Sequence, residues 1–404
     1  MHEITLIINI VVALVVAFIG GVIARRLGLP TIVGYLFAGI AIGPFTPGFV
    51  GDTHTISQLA ELGVIFLMFG VGLHFSLSDL WKVRSIAIPG ALGQMALTTL
   101  LAFFLSRSWG WDASSGIVLG LAISIASTVV LLRGLMDKGL LNTAHGQAAV
   151  GWLVLEDLAT VLILVLMPTL ANTSGPFDWA GLGLTLVKAS AFVILLLFVG
   201  KRFIPWVLLQ IAHTRSRELF ILAILAITLG TALGAAELFG VSFALGAFIA
   251  GVVVSESPLS HQVGADVFPF REAFAVLFFV SIGMLVNPIY LLNNIGYVLA
   301  LTALIVIGKS LITLLLGSVF PWQGRTALVV AAGLSQIGEF SFILGQSGID
   351  LGILTQDQYS LILAGALLSI TVNPLMFRLI DPAENWFKKR PALWRLLDRH
   401  RPLT

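Results

Sequence analysis

The 404-residue sequence contains no cysteine, which excludes disulfides and thiolate metal sites. It is also poor in charge: Asp, Glu, Lys and Arg make up 10% of the chain, against 58% hydrophobic residues. That is too little polar surface to coat a soluble globule, so the chain reads as an all-α polytopic membrane protein. Its 22 Lys and Arg against 20 Asp and Glu leave a formal net charge of +2, far too thin a cationic surface to expect a nucleic-acid partner. Catalytic signatures are missing too: there is no HExxH, no GxSxG, no P-loop, and no GxGxxG in a strand-turn-helix setting. The mid-membrane serines have no histidine in their own or adjacent helices to act as a base, and no enzyme is expected. At the amino terminus, MHEITLIINI lacks a basic stretch and runs into an apolar segment without a small-residue cleavage site. It reads as a first membrane helix, not a signal peptide.

A helix rising about 1.5 Å per residue needs roughly 20 apolar residues to cross a hydrocarbon core of about 30 Å. Such runs are predicted at 4–24, 31–48, 58–77, 86–106, 114–136, 146–170, 181–204, 217–235, 240–255, 268–285, 289–317, 326–348 and 357–379, thirteen transmembrane helices in all. Turn-forming clusters such as GPFTPG at 43–48 and NTSGP at 172–176 separate them. With this count, every Lys and Arg except Arg107, Lys188 and Lys309 falls on one side of the membrane. Cations collect on the cytoplasmic side, so the amino terminus is expected outside and the carboxyl terminus in the cytoplasm.

The sequence also resembles itself. Gly28, Gly34 and Gly39 of the second span recur as Gly240, Gly246 and Gly251 of the ninth, an offset of 212. Glu61 and Gly72 of the third recur as Glu272 and Gly283 of the tenth, and Ser124 of the fifth as Ser335 of the twelfth, at an offset of 211. An offset of seven helices inverts the second copy. The expected layout is a transmembrane domain over 1–380, with repeat one at 1–170, a linker helix at 181–204 and repeat two at 217–380, followed by a tail at 381–404. Inverted repeats are the architecture of secondary transporters, whose sites lie at midplane between discontinuous helices. The fifth and twelfth spans are the natural broken pair: Ser124, Ser127 and Thr128 occupy the middle of one, and Gly333, Ser335, Gly338, Glu339 and Ser341 that of the other. The glycines of the second and ninth spans read as surfaces for close helix packing.

Glu156 and Asp157, in GWLVLEDLATVL near the middle of the sixth span, are the main functional candidates. An ionised carboxylate there is costly unless paired, hydrated or protonated, so such residues mark ion or proton pathways. Neighbours on a helix point about 100° apart, so one is expected to face an ion site and the other to seek a cation. Lys309 in VIGKSLIT, the mid-membrane cation, is the expected partner. It lies about 12 Å of helical rise from the nearest helix end, too deep for easy snorkelling. Glu339 reads either as an ion-path residue or as a hydrogen-bond anchor. Glu61 and Glu272 lie near helix starts, where carboxylates suit the helix dipole, and His74 reads as interfacial.

Five stretches carry a family likeness: GLPTIVGYLFAGIAIGPFTPGF at 28–49, ELGVIFLMFGVGLHFSL at 61–77, SIASTVVLLRGL at 124–135, WLVLEDL at 152–158 and LSQIGEFSFIL at 334–344. The chain resembles the cation:proton antiporter-2 family, Kef-type, most closely its YbaL-like branch. The resemblance implies a sodium/proton antiporter-like fold in an inner (plasma) membrane. It also implies a homodimer whose protomers each have a dimerisation part and a six-helix core, with two broken helices crossing beside a carboxylate. By that likeness Asp157 is the ion-binding aspartate and Lys309 the lysine opposite, and Ser335, Gln336, Gly338 and Glu339 belong to the crossing-helix motif. Two features depart from the Kef pattern. Glu156 stands where Kef members have Gln, an arrangement closer to electrogenic relatives. The sequence also stops after ENWFKKRPALWRLLDRHRP, where Kef relatives continue into a nucleotide-binding regulatory domain. No cofactor is therefore expected in this chain. The sequence is either a shortened one or is regulated by another subunit, and the tail reads as a basic linker near anionic headgroups.

The expected function is exchange of a monovalent cation, K+ before Na+, for H+ by competition at Asp157. The cation would be held by Asp157 with oxygens of Ser124, Ser127 and Thr128, and Glu156 would pair with Lys309 when the cation is absent. Two alternatives share the scaffold: a ligand-gated K+ efflux channel and an ion-responsive membrane sensor.

Overall fold

A computed structural model describes residues 2–74, 77–141, 143–171, 179–319 and 323–398. The turn expected at 172–176, the side chains of His74, Lys82 and Arg84, and the residues Arg399 and Arg401 lie outside the described residues.

The described chain is helical, with no strand. It runs through α1 (His2–Arg26), α2 (Thr31–Ile42), α3 (Thr53–His74), α4 (Leu77–Ser108), α5 (Ala113–Ser124), α6 (Thr128–Asp137) and α7 (Ala144–Ala171). Next, α8 (Trp179–Leu195) passes through a π turn at Leu196–Gly200 into α9 (Lys201–His213), followed by α10 (Arg217–Phe239), α11 (Phe243–Ser255) and α12 (Ser260–Met284). The last third holds α13 (Pro288–Asn293), α14 (Ile295–Ala303), a π turn at Leu304–Gly308, α15 (Lys309–Val319), α16 (Gly324–Leu334), α17 (Glu339–Asp350), α18 (Gln356–Arg378), α19 (Ile380–Lys388) and α20 (Pro391–Leu397).

Local chemistry sets the ends. Ser216, Ser242 and Asn287 cap α10, α11 and α13 by accepting backbone N–H groups, and Thr355 with Gln358 forms a reciprocal capping box on α18. Gly240 closes α10 with φ +64°, a left-handed position that glycine adopts without a steric penalty.

Among the described residues, nine helices are long and apolar enough to cross a membrane, or ten if α16 and α17, bent by 46° at their break, form one span. Shorter apolar helices at Thr31–Ile42, Gln58–Leu73 and Phe243–Ser255 occupy the second, third and ninth expected segments. The count of thirteen is thus not reached on length alone. Several ends also move outward. The seventh span does not stop at 204 but continues to His213, with Lys201 and Arg202 exposed on its surface. The tenth span begins at Ser260 instead of 268, and the fourth at Leu77 instead of 86. An apolar run marks the part of a helix that lipid requires, whereas hydrogen bonding carries the helix on into polar sequence.

The chain divides into two units. The first comprises 1–23, 34–76 and 161–285. Its core gathers Ala13, Ala17, Ile42, Ile56, Val280 and Met284, and α3 packs along both α11 and α12. Two glycine contacts bring backbones together. A methyl on Gly39 of α2 would lie 2.7 Å from the Gly283 Cα of α12, and one on Gly251 of α11 would lie 2.8 Å from the Leu73 nitrogen of α3, beside Gly72. Neither position has room for a side chain.

The second unit comprises 24–33, 77–160 and 286–404. Trp152, Leu131, Leu135, Val329 and Phe377 centre its larger core, and Val33, Val130 and Ile370 a smaller one. The tail expected as a linker is folded onto this unit as far as residue 398. Arg325, at the start of α16, bonds Asp381 at 3.1 Å and also Glu384, which Lys388 joins at 2.7 Å. Trp394 covers Gly324, whose N–H donates to Asp398 Oδ1 at 3.3 Å. Burial alone would raise the Glu384 pKa, but Lys388 and Arg325 overcome it and hold the carboxyl below the usual range.

Candidate ion site

All of the predicted site residues lie in the second unit. The two breaks were expected in the fifth and twelfth spans, and the helices are interrupted there. Between α5 and α6 the backbone is extended, with Ile125 at φ −89°, ψ 129° and Ser127 at φ −81°, ψ 126°. Ser127 caps the restarted helix by accepting the Val130 N–H at 3.4 Å. Between α16 and α17, Gly338 is extended at φ −122°, ψ −169°. The interruptions touch: a methyl on Gly338 would fall 2.5 Å from Ser127 Cα.

Gln336 fastens this crossing. Its Oε1 accepts from Ser127 N at 3.0 Å, and its Nε2 donates to Ser127 O and Gly333 O, both at 3.2 Å. Ser127 Oγ donates to Glu339 Oε2 at 3.0 Å. Backbone polar groups freed by unwinding must find partners within the membrane, and the Gln336 amide supplies them in both directions.

The adjacent carboxylates of α7 have different surroundings. Glu156, fully buried, has a donor on each oxygen: Oε2 accepts from Ala126 N at 2.9 Å and Oε1 from Trp152 Nε1 at 3.1 Å. Asp157, 5% exposed, accepts from Thr128 Oγ1 at 3.1 Å through Oδ2, while its Oδ1 is buried with no hydrogen-bond partner. A buried acceptor without a partner costs about 1–3 kcal/mol, so Oδ1 is an atom that a proton or a cation would stabilise. Glu339 and Glu156 are the charges whose fields act on Asp157, and Lys309 acts on Glu156.

Lys309 follows directly on the π turn in its span and is completely buried. The expected contact between Glu156 and Lys309 is not formed in this structure: Lys309 Nζ donates instead to the Gln336 carbonyl at 2.9 Å. That carbonyl belongs to the break between α16 and α17. The pair therefore interacts across space without a shared hydrogen bond.

Thr128 thus reaches Asp157, and Ser127 reaches Glu339. Ser124 does not turn its hydroxyl to Asp157: Oγ donates to Leu121 O at 2.7 Å within its own helix. Ser335 Oγ likewise donates to Ala332 O at 2.7 Å and accepts from Asn373 Nδ2 at 3.0 Å. Three residues in the network do not stand out as site candidates in the sequence: Trp152, Asn373 and Gln94. The fully buried Gln94 donates to Ser124 O and Thr98 Oγ1, each at 3.2 Å, and leaves its own Oε1 without a partner. Ser124 O can only accept, which fixes the orientation of the amide. The available signal was a lone amide in the apolar run GALGQMALT.

Comparison with known proteins identifies the fold and the family. Residues 12–380 match the family described as sodium/hydrogen exchanger, transmembrane. The chain belongs to this sodium/hydrogen exchanger family. Among its relatives, the Escherichia coli protein named "Putative cation/proton antiporter YbaL" is 53% identical over 386 residues, covering 94% of this chain and 69% of that protein. K(+) efflux antiporter 4 of Arabidopsis thaliana is 36% identical over 386 residues, 94% of this chain and 64% of its own length. The sodium proton antiporter MjNhaP1 of Methanocaldococcus jannaschii superposes with a TM-score of 0.69 at 17% identity, over 94% of this chain and 99% of the other. The resemblance read from the motifs therefore stands. This member of the exchanger family is a multi-pass membrane transporter and not an enzyme.

Proposed function

We propose that the chain exchanges a monovalent cation, K+ before Na+, for H+ at Asp157 by alternating access. The observation that carries this reading is the unpartnered Asp157 Oδ1, buried beside two interrupted helices. The protonated carboxyl excludes the cation. Loss of the proton lets the carboxylate, Thr128 Oγ1 and carbonyls of the breaks take the ion instead. Ser127 and Glu339 brace the crossing beside it, and Lys309 offsets the charge of Glu156 through space. The unit carrying the site moves as a body to expose it to either side in turn. The name of the Arabidopsis relative supports K+ as the cation.

Two inverted repeats underlie this motion in our reading, with the three short apolar helices crossing to make thirteen spans. Support comes from contacts that the repeat offsets exchange: Gly39 against Gly283 maps onto Gly251 against Gly72, and Ser127 meets Gly338 at a separation of 211. By the family likeness the six-helix core is the second unit and the protein is a homodimer. It sits in the inner membrane with its amino terminus outside. The test is pH-dye flux in reconstituted vesicles with K+, Na+, Rb+ or Li+ outside. Exchange predicts cation-driven proton movement against an imposed pH gradient. A channel would set only a diffusion potential, and a sensor would accumulate no cation.

A further inference from the structure

On the cation-rich side of the second unit, the end of α6, the end of α18 and the turn before α2 enclose a cavity of about 320 Å³. Its wall carries Arg133, Lys138 and Arg378 against a single carboxylate, Asp137. None of these four is in an ion pair among the described residues. Val130, Asn373 and Phe377 also line it.

Cations at helix ends often do no more than balance the backbone dipole, and the magnitudes show that this does not suffice here. The carboxyl ends of α6 and α18 each present roughly half a negative elementary charge, and the amino end of α2, beside Pro30, roughly half a positive one. Adding the four side chains leaves the cavity with about one and a half positive charges. A singly or doubly charged anion would neutralise it. Arginine's planar fork suits phosphate oxygens, and the volume falls within the range of ligand pockets, about 300–1,000 Å³.

The walls lead to the ion site. Arg133 shares α6 with Thr128, the partner of Asp157. Asn373 donates to Ser335 Oγ and to Ala332 O, at 3.0 and 2.8 Å, at the broken end of α16. A ligand gripping Arg133 and Arg378 would therefore hold α6 and α18 together at one end, while their other contacts reach both interruptions.

We propose that this cavity binds a phosphate-bearing anion, a phospholipid headgroup or free phosphate, and that its occupancy sets the rate of exchange. The effect on rate rests on the antiporter reading, whereas binding does not. The test uses the full chain in two arms: phosphatidylcholine vesicles titrated with inorganic phosphate, and vesicles containing phosphatidylglycerol without phosphate. The K+-driven pH-dye rate is expected to change about fivefold or more in one arm, as for a modest allosteric coupling. The responding arm identifies the source. Arg133→Gln with Arg378→Gln should abolish the response, whereas Arg202→Gln with Lys389→Gln, an equal charge change outside the cavity, should keep it. Lys138→Gln, at an exposed position, replaces the arginine pair if that variant does not fold. Thermal unfolding of the purified protein with each probe reads binding directly, so a ligand-induced shift in a protein that does not transport would sink the antiporter reading and leave the site standing. No response in either arm and no thermal shift, or cavity variants responding like the unmodified chain, would overturn the proposal.

Discussion

Gly338→Ala is the sharpest perturbation of the crossing. Gly338 sits at φ −122°, ψ −169°, which alanine adopts freely, so the substitution acts through contact and not through backbone strain. The added methyl would lie 2.5 Å from Ser127 Cα and 2.8 Å from its Cβ and N. Carbon atoms prefer about 3.5–4.0 Å, so the interruptions must part by about 1 Å. The Gln336 bonds to Ser127, now 3.0 and 3.2 Å, would then stretch beyond hydrogen-bonding range. Overpacking costs about 1–3 kcal/mol and each lost bond about 1 kcal/mol, for a total on the order of 3–5 kcal/mol. The expected result is a lowered melting temperature in detergent and slower K+-driven proton flux in vesicles. Gly230→Ala in α10 is the control: there an added methyl meets nothing within 4 Å. If Gly338→Ala matches the unmodified protein in both assays, the crossing is not the rigid element described here.

Three further outcomes follow from other contacts. Lys309→Met removes the buried cation whose charge acts on Glu156 and the donor to the Gln336 carbonyl, so thermal stability should fall below that of the unmodified protein. Recovery on adding Glu156→Gln would verify the coupling. Gln94→Leu removes the donor to Ser124 O while also removing an unpartnered acceptor; a stability change within about 1 kcal/mol together with an altered K+ half-saturation would tie Gln94 to the path, and unchanged half-saturation would assign it to packing. Glu384 has a depressed carboxyl pKa, so its contribution is present above the usual glutamate range and is lost as pH falls through the depressed value. Protease sensitivity near Lys388 and Lys389 should therefore rise on acidification, and Glu384→Gln should show it already at neutral pH.

The residues of the candidate site stand out in the sequence because burying charge in lipid is so costly that a mid-membrane Glu156-Asp157 pair draws the eye. The interruptions were legible for a related reason: small polar residues such as Ser127 and Gly338 crowd where a lipid-facing helix needs none. The partner of Lys309 was not. It is a backbone carbonyl, present at every residue and made available at Gln336 only by the unwinding, so no pattern of side chains announces it. Gln94 and Asn373 were overlooked because single amides in apolar runs look like helix-packing residues until their partners are known. The folded tail escaped for the opposite reason. Lys388, Lys389 and Arg390 dominate its composition, whereas its docking depends on Glu384 and Trp394 meeting the start of α16.

Proton release on cation binding tests the central claim most directly. Weakly buffered, purified protein is titrated with KCl near the midpoint of Asp157 titration, with choline chloride as the ionic-strength control and Asp157→Asn alongside. Competition at one carboxyl, half-protonated at that pH, predicts about half a proton liberated per chain by saturating K+, none by choline, and none from Asp157→Asn. K+ binding without proton release in the unmodified protein, or equal release from Asp157→Asn, would contradict it.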